Sequence, residues 1–198
     1  MPPSDAQIIA TVLEGDREAY RHLVERYKDR VFGVLLRLVG DRDLAEDAAQ
    51  EAFVKAYLAL PRFRGESAFG TWLVQIAIHA ARDRVRRQQR RWQVETTEDD
   101  GPVDVVGPAN DALANMVRDE DLDRLQLALQ QLPEDYREVL VLKHLEEWSF
   151  EEIAQHAQAS VGSLKVRAHR ARRMLRQSLE KMAPLPKRAA SASGGGED

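Results

Sequence analysis

The sequence predicts an all-α protein: two small helical domains joined by an acidic flexible linker, the second carrying a helix-turn-helix. Three observations predict it. Apolar residues recur at helical spacing in segment after segment, and only 6% of residues are aromatic, which suits helices packed through Leu, Val and Ala. Residues 93–117 interrupt the pattern with Gly101, Pro102, Gly107, Pro108, several acids and neither Lys nor Arg. The stretch from Ser149 to Leu179 reads as two helices at a tight turn.

Composition excludes several function classes. With 198 residues, 43% hydrophobic, the chain can bury one or two small cores. Its net charge of -4 does not announce a nucleic-acid binder, so any such signal is local. The absence of cysteine removes disulfides, thiolate zinc sites and a cysteine nucleophile. The start, MPPSDAQ, has no basic opening and no apolar run, and no stretch reaches membrane-spanning length. A soluble cytoplasmic protein without membrane insertion is the expectation.

Ser4 or Asp5 caps a first short helix bearing Ile8, Ile9, Val12 and Leu13, which Gly15 ends. Asp16 caps the next, whose stripe runs from Tyr20 through Leu23, Val31, Val34 and Leu35 to Leu38, and Gly40 stops it. Asp41 opens a third helix that ends near Leu60. Ala45, Ala48, Ala49, Ala52, Phe53 and Ala56 form its buried face, and small side chains there let another helix come close. Five acids and one Arg lie between Asp41 and Glu51. A helix dipole accounts for Asp41 and Asp43 but not for Asp47 and Glu51, beyond the first turn. An acidic docking face accounts for the rest.

After Pro61 a loop holds Phe63, Arg64, Gly65 and Glu66. A fourth helix then turns Phe69, Trp72, Leu73, Ile76, Ala77 and Ala80 inward and presents Gln75, His79, Arg82 and Arg86 on another face. Six Arg fall between Arg82 and Arg91. Cations that follow a backbone beside rings that stack on bases are how proteins hold single-stranded nucleic acid. Phe63, between Pro61 and Gly65, is the ring least expected in the core.

Leu122, Leu125, Leu129 and Leu132 open the second domain, and Pro133 suits the start of the helix that runs on to Leu145. Ser149 and Glu152 form a capping box for a short helix. A break at Gln158 to Ser160 follows, and Ser160 caps a long helix with Leu164, Ala168, Ala171, Leu175 and Leu179 on one stripe. From Lys165 to Arg176 there are six Lys or Arg and no acid. A solvated face usually mixes signs, whereas a one-signed face calls for a polyanion. A short helix, a tight turn and a basic helix suit a DNA major groove. Residues 118–182 thus form a second domain, 1–92 a first, and 183–198 a tail expected to be disordered.

In this order, the elements resemble the extracytoplasmic-function (ECF) sigma factors of bacterial RNA polymerase, from Gln7 to Met182. Three motifs carry the resemblance. DRDLAEDAAQEAFVKAYLAL is similar to the helix that docks on the polymerase clamp. FRGESAFGTWLVQIAIHAARDRVRR is similar to the segment that melts and reads the −10 element. LPEDYREVLVLKHLEEWSFEEIAQHAQASVGSLKVRAHRARRML is similar to the −35-reading domain.

The resemblance implies that residues 1–92 are sigma region 2 and residues 118–182 sigma region 4. It implies core-polymerase binding by Asp47, Gln50 and Glu51 with Phe53. It places Phe63, with Arg64 beside it, around an extruded base, His79, Arg82 and Arg86 along the −10 strand, and Trp72 in the core. Ser163, Lys165, Val166, Arg167, His169 and Arg170 match the −35 helix, with Arg172 and Arg173 reaching phosphates. The partners implied are core RNA polymerase (clamp and flap), promoter DNA and an anti-sigma protein. No catalytic residue, metal or cofactor is implied, so the chain is expected not to be an enzyme.

The family often has Asn where His79 stands, Gly and Pro in the turn where Gln158 and Ser160 stand, and a small hydroxyl residue where Val166 stands. Those departures bear on promoter preference, since readout depends on which donor faces each base edge. A stand-alone helix-turn-helix repressor or activator accounts for residues 149–179 but leaves the acidic helix and the Arg-rich segment without a role.

Overall fold

A computed structural model of the chain describes residues 2–95 and 120–182. Among them are eight α-helices, two short 3-10 turns and no strand, in keeping with the all-α expectation. In chain order these are α1 (Asp5–Leu13), α2 (Tyr20–Val39), α3 (Arg42–Ala59), α4 (Phe69–Glu95), α5 (Glu120–Gln130), α6 (Glu134–His144), α7 (Phe150–Ala157) and α8 (Val161–Lys181). Residues 96–119, most of the stretch read as a linker, and the tail read over 183–198 lie outside the described residues.

Local chemistry sets the helix ends. The Ser4 hydroxyl accepts from Gln7 N–H and the Gln7 side chain accepts from Ser4 N–H. Asp16 caps a 3-10 turn at Arg17–Ala19 that leads into α2, so it reaches the second helix through an extra turn. Gly40 closes α2 at φ 82, a left-handed conformation that suits glycine. Asp41 caps α3 through Leu44 N–H at 2.9 Å.

The first core lies where α1 to α4 meet. Leu23, Val31, Leu35, Ala45, Ala48, Ala52, Ala56, Leu73, Ala77 and Ala80 are buried there, and the alanine rows of α3 and α4 let those helices approach closely. A smaller core of Leu129, Leu132, Leu140 and Ala171 joins α5, α6 and α8.

A third core has no counterpart in the sequence reading. Val34, Val74 and Ile78 pack with Val139, Leu142, Trp148, Ile153 and Leu164, which joins the two domains directly. α4 therefore buries two faces, one on α3 and one on the second domain. Residues 74 and 78 complete an i, i+4 apolar pair that the inward stripe does not contain.

Polar contacts fix the register of this junction. The last carbonyls of a helix have no partner inside it. Here Gln126 Nε2 donates to Leu36 O at 2.7 Å, Gln130 Nε2 to Arg37 O at 2.9 Å, and Arg137 to Leu38 O. Arg30 meets Glu146, whose side chain is only 4% exposed, at 2.8 Å.

Candidate nucleic-acid and polymerase interfaces

The acidic face of α3 is neutralised from within the first domain. Arg84 Nη1 lies 2.6 Å from Asp47 and Arg84 Nε 3.1 Å from Glu51. Arg87 Nη2 lies 3.2 Å from Glu51, and Lys55 Nζ 2.8 Å from the same carboxylate. The Lys55 hydrogen bond, with that of Arg87, holds the Glu51 carboxyl below the usual carboxylate range against the upward push of burial. Asp47 and Gln50 stay exposed and Glu51 is half-buried. Phe53 is buried in the first core, with its carbonyl accepting from the Tyr20 hydroxyl at 2.8 Å. Its ring thus lies on the core side of α3, behind Asp47, Gln50 and Glu51.

The Arg run of α4 divides by helical spacing. Arg84 and Arg87 prolong the inward stripe of Leu73, Ala77 and Ala80 and so land on α3. The sequence carried that signal as a heptad-like continuation, but the arginines were read only as a nucleic-acid groove. Arg82 and Arg86 take other directions. Arg86 is exposed, whereas Arg82 reaches Glu138 of α6, with Glu134 at 3.8 Å.

His79 and Arg82 sit at the junction with the second domain. The His79 ring centroid lies 5.3 Å from that of His156, whose Nε2 is 3.1 Å from Glu138 Oε1. His79 is exposed on one side, yet the partial covering of its ring, the neighbouring His156 and Arg82 together hold it below its ordinary value. Burial alone would raise the Glu138 carboxyl; His156 and Arg82 outweigh it and hold that group low. Beside the contact lies an open cleft of about 750 Å³, lined in part by Gln75, Arg86, Gln155, Gln158 and Arg167.

Phe63 follows a 3-10 turn at Leu60–Arg62 and is half-buried, packed against the edge of the first core rather than within it. Its centroid lies 4.9 Å from Trp72 and 5.7 Å from Phe69, the latter edge-on at 90°. Three rings thus form one platform at the start of α4, with Arg64 exposed beside it.

The helix-turn-helix is α7 and α8. Glu152 accepts from Ser149 N–H at 2.7 Å and Glu152 N–H donates to Ser149 Oγ at 3.1 Å, the capping box expected. Gln158 takes the left-handed conformation, φ 51, where glycine is favoured, and Ser160 caps α8. Leu164, Ala168 and Ala171 face the core. Ser163, Lys165, Val166, His169, Arg170, Arg172 and Arg173 are exposed. Arg167 is half-buried and lies 3.5 Å from Asp135 of α6.

The described residues contain no group of His and acidic side chains arranged to hold a metal. None of their helices is long and apolar enough to cross a membrane.

The family profile for sigma-70 region 2 matches residues 23–91 and that for sigma-70 region 4 residues 122–175. The chain is 38% identical over 185 residues to the RNA polymerase sigma-H factor of Pseudomonas aeruginosa (strain PAO1), covering 89% of this chain and 94% of that protein. It is 36% identical over 182 residues to the ECF RNA polymerase sigma-E factor of Haemophilus influenzae (strain Rd), covering 89% and 96%. Among solved structures, CnrH in complex with the cytosolic domain of CnrY is similar at a TM-score of 0.62 and 25% identity, covering 89% of this chain and 97% of that one.

Proposed function

We propose a division of labour that proceeds from one premise: the chain belongs to the extracytoplasmic-function sigma factors of bacterial RNA polymerase. It is an alternative sigma factor, which directs promoter-specific initiation. In our reading it acts in the cytoplasm as a non-enzymatic factor that binds core polymerase and promoter DNA and is held in reserve by an anti-sigma protein. The similar protein CnrH is held in a complex with the cytosolic domain of CnrY, which supports a protein partner of this kind.

The first domain docks on the polymerase clamp through Asp47, Gln50 and Glu51. Arg84 and Arg87 hold two of these carboxylates in place, so the docking surface is a braced ladder of charges. His79, Arg82 and Arg86 follow the non-template strand, while Phe63, backed by the buried Phe69 and by Trp72, receives one extruded base, whose unstacking costs a few kcal/mol. α8 enters the −35 major groove, with Lys165, Val166, Arg167, His169 and Arg170 toward base edges, Arg172 and Arg173 toward phosphates, and Ser163 near the helix start.

The observation that carries this reading is the pairing, in one chain and in family order, of an exposed one-signed recognition helix with a braced acidic helix. Transcription in vitro with core polymerase, on a fragment library of bacterial promoters, tests it. Start-site-specific transcripts that depend on the chain and fall on Asp47→Arg and on Phe63→Ala are expected. No stimulation, together with duplex binding by the chain alone, overturns it.

A further inference from the structure

The acidic side of α6 reaches toward both DNA-facing surfaces. Glu138 is a charged group with an 8% exposed side chain, shared between Arg82, a cation from the other domain, and His156 of α7, whose Nε2 lies 3.1 Å away. Glu134 approaches the same guanidinium, and Asp135 lies 3.5 Å from Arg167 of α8. A carboxylate facing an arginine offers the same charge-assisted acceptors as a phosphate. Around it, α6 and the elements that follow it cover Val74 and Ile78, which flank the His79 and Arg82 turns of α4.

We propose that α6 is an internal phosphate mimic: Glu138 takes at Arg82 the place of a −10-strand phosphate, so the second domain and the strand compete for one surface. This rests on the assignment of His79, Arg82 and Arg86 to the −10 strand. The free chain is closed over that surface, and it binds a single strand only in the fraction of molecules whose second domain has lifted. The apolar contact of Val34, Val74 and Ile78 with α6, Trp148 and Ile153 supplies the closure, and Glu138 supplies the charge match.

The test uses the full chain. The protein has no cysteine, so spin labels at Leu58→Cys and Leu122→Cys report the distance between the domains alone. Both positions are exposed, at 72% and 53%. Binding is read with a fluorescein-labelled random pool of single-stranded DNA at low salt. Val34→Lys opens the junction without touching a residue assigned to DNA, and Glu138→Gln removes the charge with little change of shape. The wild-type chain should give one narrow distance and Val34→Lys a longer, broader one. Each variant should bind the pool about tenfold more tightly, the ratio imposed when about one molecule in ten of the wild-type chain is open.

A broad distance in the wild-type chain overturns closure. Opening by Val34→Lys with unchanged binding, and unchanged binding in Glu138→Gln, overturns the mimicry. Arg86→Ala in the Val34→Lys background separates that failure from failure of the −10 assignment: weakened strand binding leaves the assignment standing, and unchanged binding removes it and the competition with it.

Discussion

The basic ends of α4 and α8 each hold six Lys or Arg, over residues 82–91 and 165–176, but their surroundings differ. On α8 the outward cations Lys165, Arg170, Arg172 and Arg173 are exposed and form no ion pair among the described residues. The acids of its neighbours reach only Arg167. On α4, Arg84 and Arg87 are taken by α3 and Arg82 by α6, which leaves Arg86 and Arg90 open among the described side chains. A one-signed run along the chain becomes a one-signed surface only where no acidic helix lies within reach. The outward face of α8 meets that condition in the free chain, and the face of α4 that carries Arg82, Arg84 and Arg87 does not.

The largest expected effect would break the open side of the comparison. Leu164, on the inward face of α8, is fully buried. Leu164→Ala should cost about 2–5 kcal/mol, as cavities of this kind do, and thermal unfolding should show it. Ile153 and Trp148, in the same cluster, tie that loss to the junction, so the label distance should broaden as well.

A second change probes the paired side. Arg84→Ala strips Asp47 and Glu51 of a shared partner and should lower stability by about 1 kcal/mol, as part-buried pairs do. Arg170→Ala, on the open face, should leave stability within about 0.5 kcal/mol. It should instead reduce the slope of log affinity against log salt by about one on promoter duplex. Equal stability losses for the two variants would contradict the distinction.

Much of this was legible before any coordinates. Helix ends followed from Ser4, Gly40, Asp41 and the Ser149–Glu152 box, because caps are local chemistry. Buried faces followed from the alanine and leucine stripes. The junction was not legible, because Val74 and Ile78 lie outside the stripe that faces α3 and nothing local says what covers them. The partners of Arg82 were equally hidden. Glu138 is 56 residues away, and pairing over that separation depends on tertiary placement. The ring contacts of Phe63 were hidden for a related reason: a loop position says nothing about the rings at Phe69 and Trp72 that it packs against. Phe53 falls among the docking residues in sequence, but its face of α3 is the core face.

Acid should shift the closed surface toward the open one. His79 faces Arg82 and Asp83 of its own helix, Glu138 of α6 and His156 of α7, and it lies below its ordinary value of 6.5 in the closed chain. Closure therefore favours the neutral ring. Its contribution is complete above that ordinary value and is lost as pH falls through the lower closed-state value. Glu138 is also held below its ordinary 4.5, so its share persists until pH falls further. The label distance should lengthen as pH drops from about 8 to about 5, and His79→Gln should flatten the upper part of that curve.

The smallest expected effect sharpens the open side. Gln158 takes a left-handed conformation without glycine's freedom. Gln158→Gly should stabilise the second domain by about 0.5–1 kcal/mol, visible as a raised Tm with unchanged −35 binding.

The most direct measurement footprints one promoter, chosen from the transcription screen, with the chain alone and with the chain on core polymerase. The chain alone should give at most weak −35 protection, and permanganate-reactive −10 thymines should appear only with core polymerase. Thymines exposed equally by the chain alone would contradict the asymmetry between the two surfaces.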